Sequence, residues 1–177
     1  EAESIFQRGL AATPDHVEAL LALGGVLRQR GAFAQAVACF QRALERVPGN
    51  ALQTAAAHYG LGHCLREEGR TAEAADCFER AIAAQPDYVD AHYRLAVLKP
   101  GSADGAQREQ LESLRPRVPA MPIAQQVRYW FALGRRREDA GDCSAAFDAY
   151  AEGNRLQAQR LELSERYPAQ EALDARF

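Results

Sequence analysis

The amino-acid sequence predicts an all-α fold, a right-handed superhelix of stacked antiparallel helix pairs. Three observations indicate this class. Pro14 and Pro48 lie 34 residues apart, which is the period of a helix–turn–helix repeat. Small, apolar and aromatic residues recur at fixed positions within that period. Hydrophobic residues make up 47% of the 177 residues, so stacked pairs that cannot bury their apolar faces alone have enough apolar surface to share a core.

The first complete repeat is predicted at residues 17–50. Its fixed positions, in chain order, are Leu20, Leu23, Gly24, Leu27, Ala36, Phe40, Ala43 and Pro48. Gly24 and the two alanines are expected where the paired helices cross, because a larger side chain would clash there. Phe40 is expected to fill the space between this repeat and the next one.

A second copy is predicted at residues 51–88. Its fixed positions are His58, Leu61, Gly62, Leu65, Ala74, Phe78, Ala81 and Pro86. Upstream, residues 1–14 match only the second helix of a repeat, through Ala2, Phe6, Gly9 and Pro14. We expect this half repeat to be an uncovered apolar edge that promotes self-association, since terminal repeats normally need a polar cap.

The two complete copies follow the pattern W-x2-L-G-x2-Y…A…F…P with conservative replacements. They therefore resemble the tetratricopeptide repeat family. The resemblance implies a solenoid that acts as a protein- or peptide-binding module.

An altered third repeat is predicted at residues 89–121. Its first helix contains the expected His92, Leu95 and Ala96 and then meets Pro100 and Gly101. A replacement second helix is predicted from Ala106 to Leu114. A turn rich in proline follows it, at Pro116, Pro119 and Pro122.

A fourth repeat is predicted at residues 122–166. Its fixed positions are Trp130, Leu133, Gly134, Ala146, Tyr150 and Gly153. Gly141 marks its turn, and its second helix is predicted to run from Ser144 to about Glu165, longer than an ordinary repeat helix. Residues 167–177 are interpreted as a linker toward a further C-terminal domain, and residues 1–177 as a single repeat domain.

The stretch FALGRRREDAGDCSAAFDAYAEGN, Phe131–Asn154, is similar to a block that precedes the catalytic domain of bacterial tetratricopeptide-linked sulfotransferases. The resemblance implies that the chain is the N-terminal interaction arm of a cytoplasmic bacterial enzyme that uses 3′-phosphoadenosine 5′-phosphosulfate. The anion-binding loop of such enzymes has no counterpart here, since Gly24–Gly25 and Gly60–Gly62 lie inside predicted helices as packing positions. We therefore expect no catalytic residue and no cofactor in this chain. The alternative is a stand-alone adaptor with no linked enzyme.

Composition argues against several other functions. The net charge is −3 and Lys99 is the only lysine, whereas nucleic-acid binders normally carry a basic surface. The longest apolar run is far shorter than the roughly 20 residues of a membrane span. Cysteines at 39, 64, 77 and 143 fall inside helical patterns and are expected to be buried free thiols in a reducing cytosol.

A metal site is disfavoured as well. His58 and His63 are five residues apart, a spacing that does not place both on one helix face. His58 and His92 occupy the same position of successive repeats, which packing explains. We expect no bound metal.

A peptide groove is predicted along the first helices of the repeats. Its residues are Leu21, Arg28, Tyr59, His63, Arg66, Tyr93, Arg94, Arg128, Phe131 and Arg135. Aromatic and arginine side chains dominate binding hot spots, and guanidinium groups suit carboxylates, so the expected ligand is an extended acidic and apolar peptide. The alternative is that the aromatic side chains pack against one another or against a following domain.

One negative feature narrows the choice of ligand. Asparagine precedes the Leu-Gly pair in repeats that clamp peptide tails, whereas the corresponding positions here are Ala22, Gly60, Arg94 and Ala132. The sequence therefore disfavours a chaperone-tail clamp.

Overall fold

The computed structural model describes residues 6, 13, 15–47, 49–101 and 105–166, without the side chains of the last three. Apart from residues 6 and 13, the predicted half repeat and the predicted linker lie outside this part of the chain. The α-helices are α1 Val17–Gln29, α2 Phe33–Arg46, α3 Ala51–Glu67, α4 Thr71–Ala84, α5 Val89–Leu98, α6 Gly105–Leu114, α7 Ile123–Asp139 and α8 Cys143–Arg166. A 3-10 helix, Arg115–Ala120, lies between α6 and α7. The described residues contain no strand, so the predicted all-α class is confirmed.

The chain divides into two compact units between Leu98 and Lys99. The first unit contains α1 to α5 and the second contains α6 to α8. The boundary falls inside the predicted altered repeat at 89–121, so the prediction of one continuous domain stays a prediction. Each unit is described by itself.

The predicted helices of the second unit are confirmed. The replacement helix expected from Ala106 to Leu114 is α6, which begins one residue earlier. The proline-rich turn is the 3-10 helix, whose first proline lies in its first turn, where a missing N–H costs no hydrogen bond. The long helix expected from Ser144 to about Glu165 is the 24-residue α8.

The same tight turn joins the helices of three pairs. Its glycine has a φ of +77° at Gly31, +78° at Gly69 and +80° at Gly141. The next amide closes the turn by donating across it: Ala32 N to Leu27 O, Arg70 N to Leu65 O and Asp142 N to Arg137 O, each at 2.9 Å. Only glycine adopts this left-handed conformation without steric cost. The turn glycines therefore fix where one helix of a pair ends and the other begins.

Aromatic rings packed on glycines hold the helices of the first unit together. A Cβ atom at Gly24 of α1 would lie 2.8 Å from Phe40 Cε1, and a Cβ at Gly60 of α3 would lie even closer to the same ring. Phe40 itself is 4% exposed. The ring on α2 thus contacts the helix before it and the helix after it. The contact with α3 confirms the prediction that Phe40 fills the space between two repeats.

The pattern recurs along the chain. Gly62 of α3 faces the fully buried ring of Phe78 on α4, with 2.7 Å between the ring and a Cβ placed there. In the second unit Gly134 of α7 faces Tyr150 of α8 at the same distance. Gly25 differs, because no described atom lies within 4 Å of its Cβ position. Within the described part of the chain nothing therefore packs on Gly25, in contrast to the packing role that the sequence suggested for it.

Gly60→Ala is expected to destabilise the protein by about 1–3 kcal/mol, because the added methyl group overpacks against the Phe40 ring. Thermal or urea unfolding followed by circular dichroism measures the change. Gly25→Ala is the matched control, the same substitution inside a helix with open space. It is expected to stabilise the protein by about 0.5–1 kcal/mol, since alanine is the better helix former. Equal effects of the two substitutions would contradict the packing account.

Candidate functional site

The predicted groove residues of the first unit lie on α1, α3 and α5. Six of them are partly exposed, namely Leu21, Arg28, Tyr59, Arg66, Tyr93 and Arg94. Val97, on the same face of α5 as Tyr93, is 56% exposed. Successive first helices of the unit therefore offer apolar and cationic side chains to solvent.

His63 differs from the other predicted groove residues because it is buried, with 5% of its surface exposed. Its Nε2 lies 3.1 Å from the Tyr59 hydroxyl in a hydrogen bond. Its ring lies edge-on to Tyr59, at 4.9 Å between centroids, and to Phe78, at 6.0 Å. The imidazole belongs to the packing between α3 and α4 and not to a solvent-exposed groove surface.

Tyr59 fits both alternatives that the sequence left open, a groove residue and an aromatic residue that packs against other rings. Its ring packs against Phe78 and Tyr88, at 5.7 and 5.4 Å between centroids, yet the side chain is only partly buried. Packing of aromatic side chains against one another, the alternative to a groove, is therefore observed at this position.

The arginines of the first unit differ in how their charges are compensated. Arg66 forms an ion pair with Glu67, its neighbour on α3, while its Nε is buried without a hydrogen-bond partner among the described residues. Arg94 lies over the Tyr93 ring, with Cζ 5.6 Å from the centroid. Among the described residues no carboxylate pairs with Arg28 or Arg94. These two guanidinium groups carry positive charge that a bound anion can neutralise.

Burial is the main influence on the pKa of the Cys64 thiol, which lies on α3. Burial raises the pKa of Cys64 to about 11, and the positive charge of Arg28 only partly opposes that rise. Burial also raises the pKa of the Cys39 and Cys77 thiols. All three are therefore protonated and weakly nucleophilic at neutral pH.

Cys143 corrects the prediction that every cysteine is buried. It is the first residue of α8, directly after the turn, and it is exposed. The periodicity of the sequence placed it in a helix but did not show that this first residue of the helix lies outside the packed face.

The structure agrees with the prediction that His58 and His92 are packing residues. His92 is buried, and its Nε2 lies 2.9 Å from the Pro86 carbonyl oxygen. Burial, and to a lesser extent Arg80, lowers the pKa of His58, so the neutral form is favoured. No three His, Cys, Asp or Glu side chains of the described chain are grouped to hold a metal ion.

The predicted groove residues of the second unit are engaged within α7 and α8. Arg135 forms ion pairs with Glu138 at 3.1 Å and Asp139 at 3.4 Å. Phe131 packs against Tyr150 at 6.2 Å between centroids. Arg128 lies on α7 about two helical turns before Arg135, and its side chain is partly exposed.

The residues that carry the sulfotransferase resemblance have structural roles in this unit. The Tyr150 hydroxyl donates to Glu138 at 2.9 Å, and Asp142 accepts from Ala145 N at 3.1 Å at the start of α8. Asp139 accepts from Gly101 N at 2.7 Å and from Arg136 Nη1 at 3.0 Å. The block thus specifies the α7–α8 hairpin and its attachment to the preceding turn.

One buried ion pair in this hairpin was not predicted. The side chains of Arg136 and Asp139 are 2% and 3% exposed, and Arg136 also donates to the Lys99 carbonyl oxygen at 3.1 Å. Burying a charged pair is tolerated only when its members are well hydrogen-bonded. The pair ties residues 99–101 to α7, a contact across more than 30 positions that no local motif signals.

Comparison with known proteins agrees with this architecture. Residues 15–87 match the family model for tetratricopeptide repeats, the part of the chain in which two complete repeats were predicted. The chain has the tetratricopeptide repeat fold. No curated protein matches it at a significant level.

Solved structures extend the likeness to most of the chain. A crystal structure of MamA is 22% identical, with 90% of this chain and 89% of that chain covered and a TM-score of 0.58. A putative kinesin light chain of Podospora anserina with nearly identical TPR-like repeats is 14% identical, with 89% and 86% covered and a TM-score of 0.55. At these identities the likeness concerns the fold.

None of the described helices is both long and apolar enough to cross a membrane.

Cys143 is expected to react with a thiol reagent in a fast phase of one equivalent per chain, because it alone of the four cysteines is exposed. Cys39 and Cys64 are buried, and Cys77 is partly buried with a raised pKa, so these three thiols are protonated and react slowly. Titration with Ellman's reagent under native conditions, followed by addition of denaturant, measures the fast and the protected thiols. Cys143→Ser is expected to remove the fast phase. A fast phase that survives this substitution would show that one of the other three thiols is accessible, and the prediction would be wrong.

Proposed function

We propose that this chain is a protein- or peptide-binding module, and that the first-helix surface of its first unit holds the partner. The supporting observation is that two partly exposed guanidinium groups, Arg28 on α1 and Arg94 on α5, have no carboxylate partner among the described residues. The same two helices carry the exposed Val97 and the partly exposed Leu21 and Tyr93. Stacked repeats leave the first helices free to line a binding surface. The tetratricopeptide fold fits this role.

The chemistry of the surface favours an extended segment with acidic and apolar side chains. A carboxylate that reaches a partly buried guanidinium forms a charge-assisted hydrogen bond, which is stronger than a neutral one. A competing explanation for Arg28 and Arg66 is that both lie in the last turn of a helix, where the helix dipole favours a cation by about 0.3–1 kcal/mol. This explanation requires no partner, and it does not apply to Arg94, which lies in the middle of α5.

The parent protein is proposed to be a cytoplasmic bacterial sulfotransferase, with this chain as its N-terminal arm. In that role the arm would hold the acceptor near the active site, so that remote binding energy assists catalysis. The similar block at Phe131–Asn154 supports the proposal. The outer face of α8 also supports it, because Phe147 is 72% exposed and Leu161 55% exposed, an apolar surface that a following domain can cover.

The second candidate is a stand-alone adaptor. It is favoured by the roles of Glu138, Asp139 and Asp142, which all serve the α7–α8 hairpin and its attachment, so the block is explained without an enzyme. Reading the gene beyond the codon for Phe177 separates the two candidates. A strand, an anion-binding loop and a helix, together with sulfuryl transfer from labelled 3′-phosphoadenosine 5′-phosphosulfate by the whole protein, support the arm. A stop codon or further repeats support the adaptor.

The double variant Arg28→Ala, Arg94→Ala is expected to bind acidic peptides about 10- to 100-fold more weakly, since each guanidinium contributes a charge-assisted contact. Fluorescence anisotropy with a labelled library of Glu- and Asp-containing peptides measures the affinity.

The control removes the same charge elsewhere, at Arg70 and Arg155, whose exposed side chains pair with Glu73 and Glu152. This control is expected to bind almost as the wild type does. If the control and the double variant weaken binding equally, net charge and not this surface governs binding, and the proposed surface is wrong.

A further inference from the structure

Gly25 is a costly residue for which the described structure shows no packing reason. Glycine inside a helix is less favourable than alanine, because the unfolded chain gains conformational freedom. The other glycines inside α1, α3, α7 and α8 have an aromatic ring at or near van der Waals contact with their Cβ positions, namely Gly24, Gly60, Gly62, Gly134 and Gly153. At Gly25 no described atom lies within 4 Å, and the residue retains partial exposure to solvent.

The next repeat shows what such a position can accommodate. The residue equivalent to Gly25, 38 positions later, is His63. Its planar ring lies edge-on to Tyr59 and Phe78 and is almost completely buried. In α3 the residue's own ring fills this position, whereas at the same position of α1 no described atom lies within 4 Å.

The neighbours of Gly25 are suited to a ring and a carboxylate. Leu21 and Arg28 lie four residues before and three residues after it, so all three share one face of α1. Leu21 is partly buried and apolar. Arg28 has no carboxylate partner among the described residues, and a guanidinium group can both bind a carboxylate and stack on a ring.

We propose that Gly25 is the contact point for an aromatic side chain of an acidic peptide. The ring lies across Gly25 beside Leu21, and a carboxylate next to the ring in the peptide pairs with Arg28. This inference rests on the proposed binding function and narrows it to peptides in which an aromatic residue is adjacent to Glu or Asp. The missing side chain of Gly25 is then retained for binding, at the expense of helix stability.

The test uses the 177-residue chain and two fluorescein-labelled nonapeptides. One peptide has a Phe with two Glu residues on either side, and the other has Ala in place of Phe. Gly25→Leu fills the open position with a good helix former, so its melting temperature is expected to equal or exceed that of the wild type. Its affinity for the Phe peptide, measured by anisotropy, is expected to fall at least about tenfold, to the level that the wild type shows for the Ala peptide.

Two further variants make the result interpretable. Ala38→Leu adds the same side chain at an exposed position of α2 and is expected to leave the affinity unchanged. Gly25→Ala is the smaller substitution, for use if leucine disturbs folding. It is expected to raise the melting temperature by about 2–4 °C while weakening binding of the Phe peptide.

The outcomes separate the two proposals. If Gly25→Leu binds the Phe peptide as the wild type does, or if the wild type does not distinguish Phe from Ala, the ring contact at Gly25 is wrong and the binding function stands. If a peptide library yields only ligands that lack a ring beside an acid, the inference is wrong in the same way. If neither these peptides nor any library member binds the wild-type chain, both proposals fail.

Discussion

The packing of the Phe40 ring against two glycines is the constraint on which the first unit depends. The ring lies on α2 and reaches Gly24 of α1 and Gly60 of α3, so a single side chain determines how closely three helices approach. Because protein interiors are packed as densely as organic crystals, the added methyl group of an alanine at either glycine has no space. The later pairs repeat the device with Phe78 on Gly62 and Tyr150 on Gly134. The positions of the glycines in the sequence therefore determine how closely neighbouring helices pack.

That spacing decides which side chains remain available for binding. Once Phe78 lies against Gly62, the neighbouring His63 is enclosed by Phe78 and Tyr59 and has no role at the surface. Arg28 and Arg94 remain partly exposed, and neither has a carboxylate partner among the described residues. The same packing that stabilises the stack therefore separates the first-helix residues into those that hold helices together and those that can hold a partner.

The repeats were predictable because each fixed position has a local signature. Small residues at helix crossings, turn glycines and the proline period all leave marks within one repeat, so the limits of α6 and α8 were also close to those expected. Burial of His63 was not predictable, because a helix pattern cannot show that a ring from α4 covers that position. The absence of any described atom near the Gly25 Cβ position was missed for the opposite reason, since a glycine next to Gly24 looks like part of the same crossing. The Arg136–Asp139 pair depends on a contact with residues 99–101, for which the sequence has no pattern.

The most direct test of this account is a double-mutant cycle between Phe40 and Gly60. Gly60→Ala, Phe40→Leu and the double variant are compared with the wild type by urea unfolding. If the ring is what excludes a methyl group from α3, Gly60→Ala costs much less once leucine replaces the ring, and the coupling energy is about 1 kcal/mol or more. If the two substitutions are additive within about 0.5 kcal/mol, the ring does not set the helix spacing and the central claim is wrong.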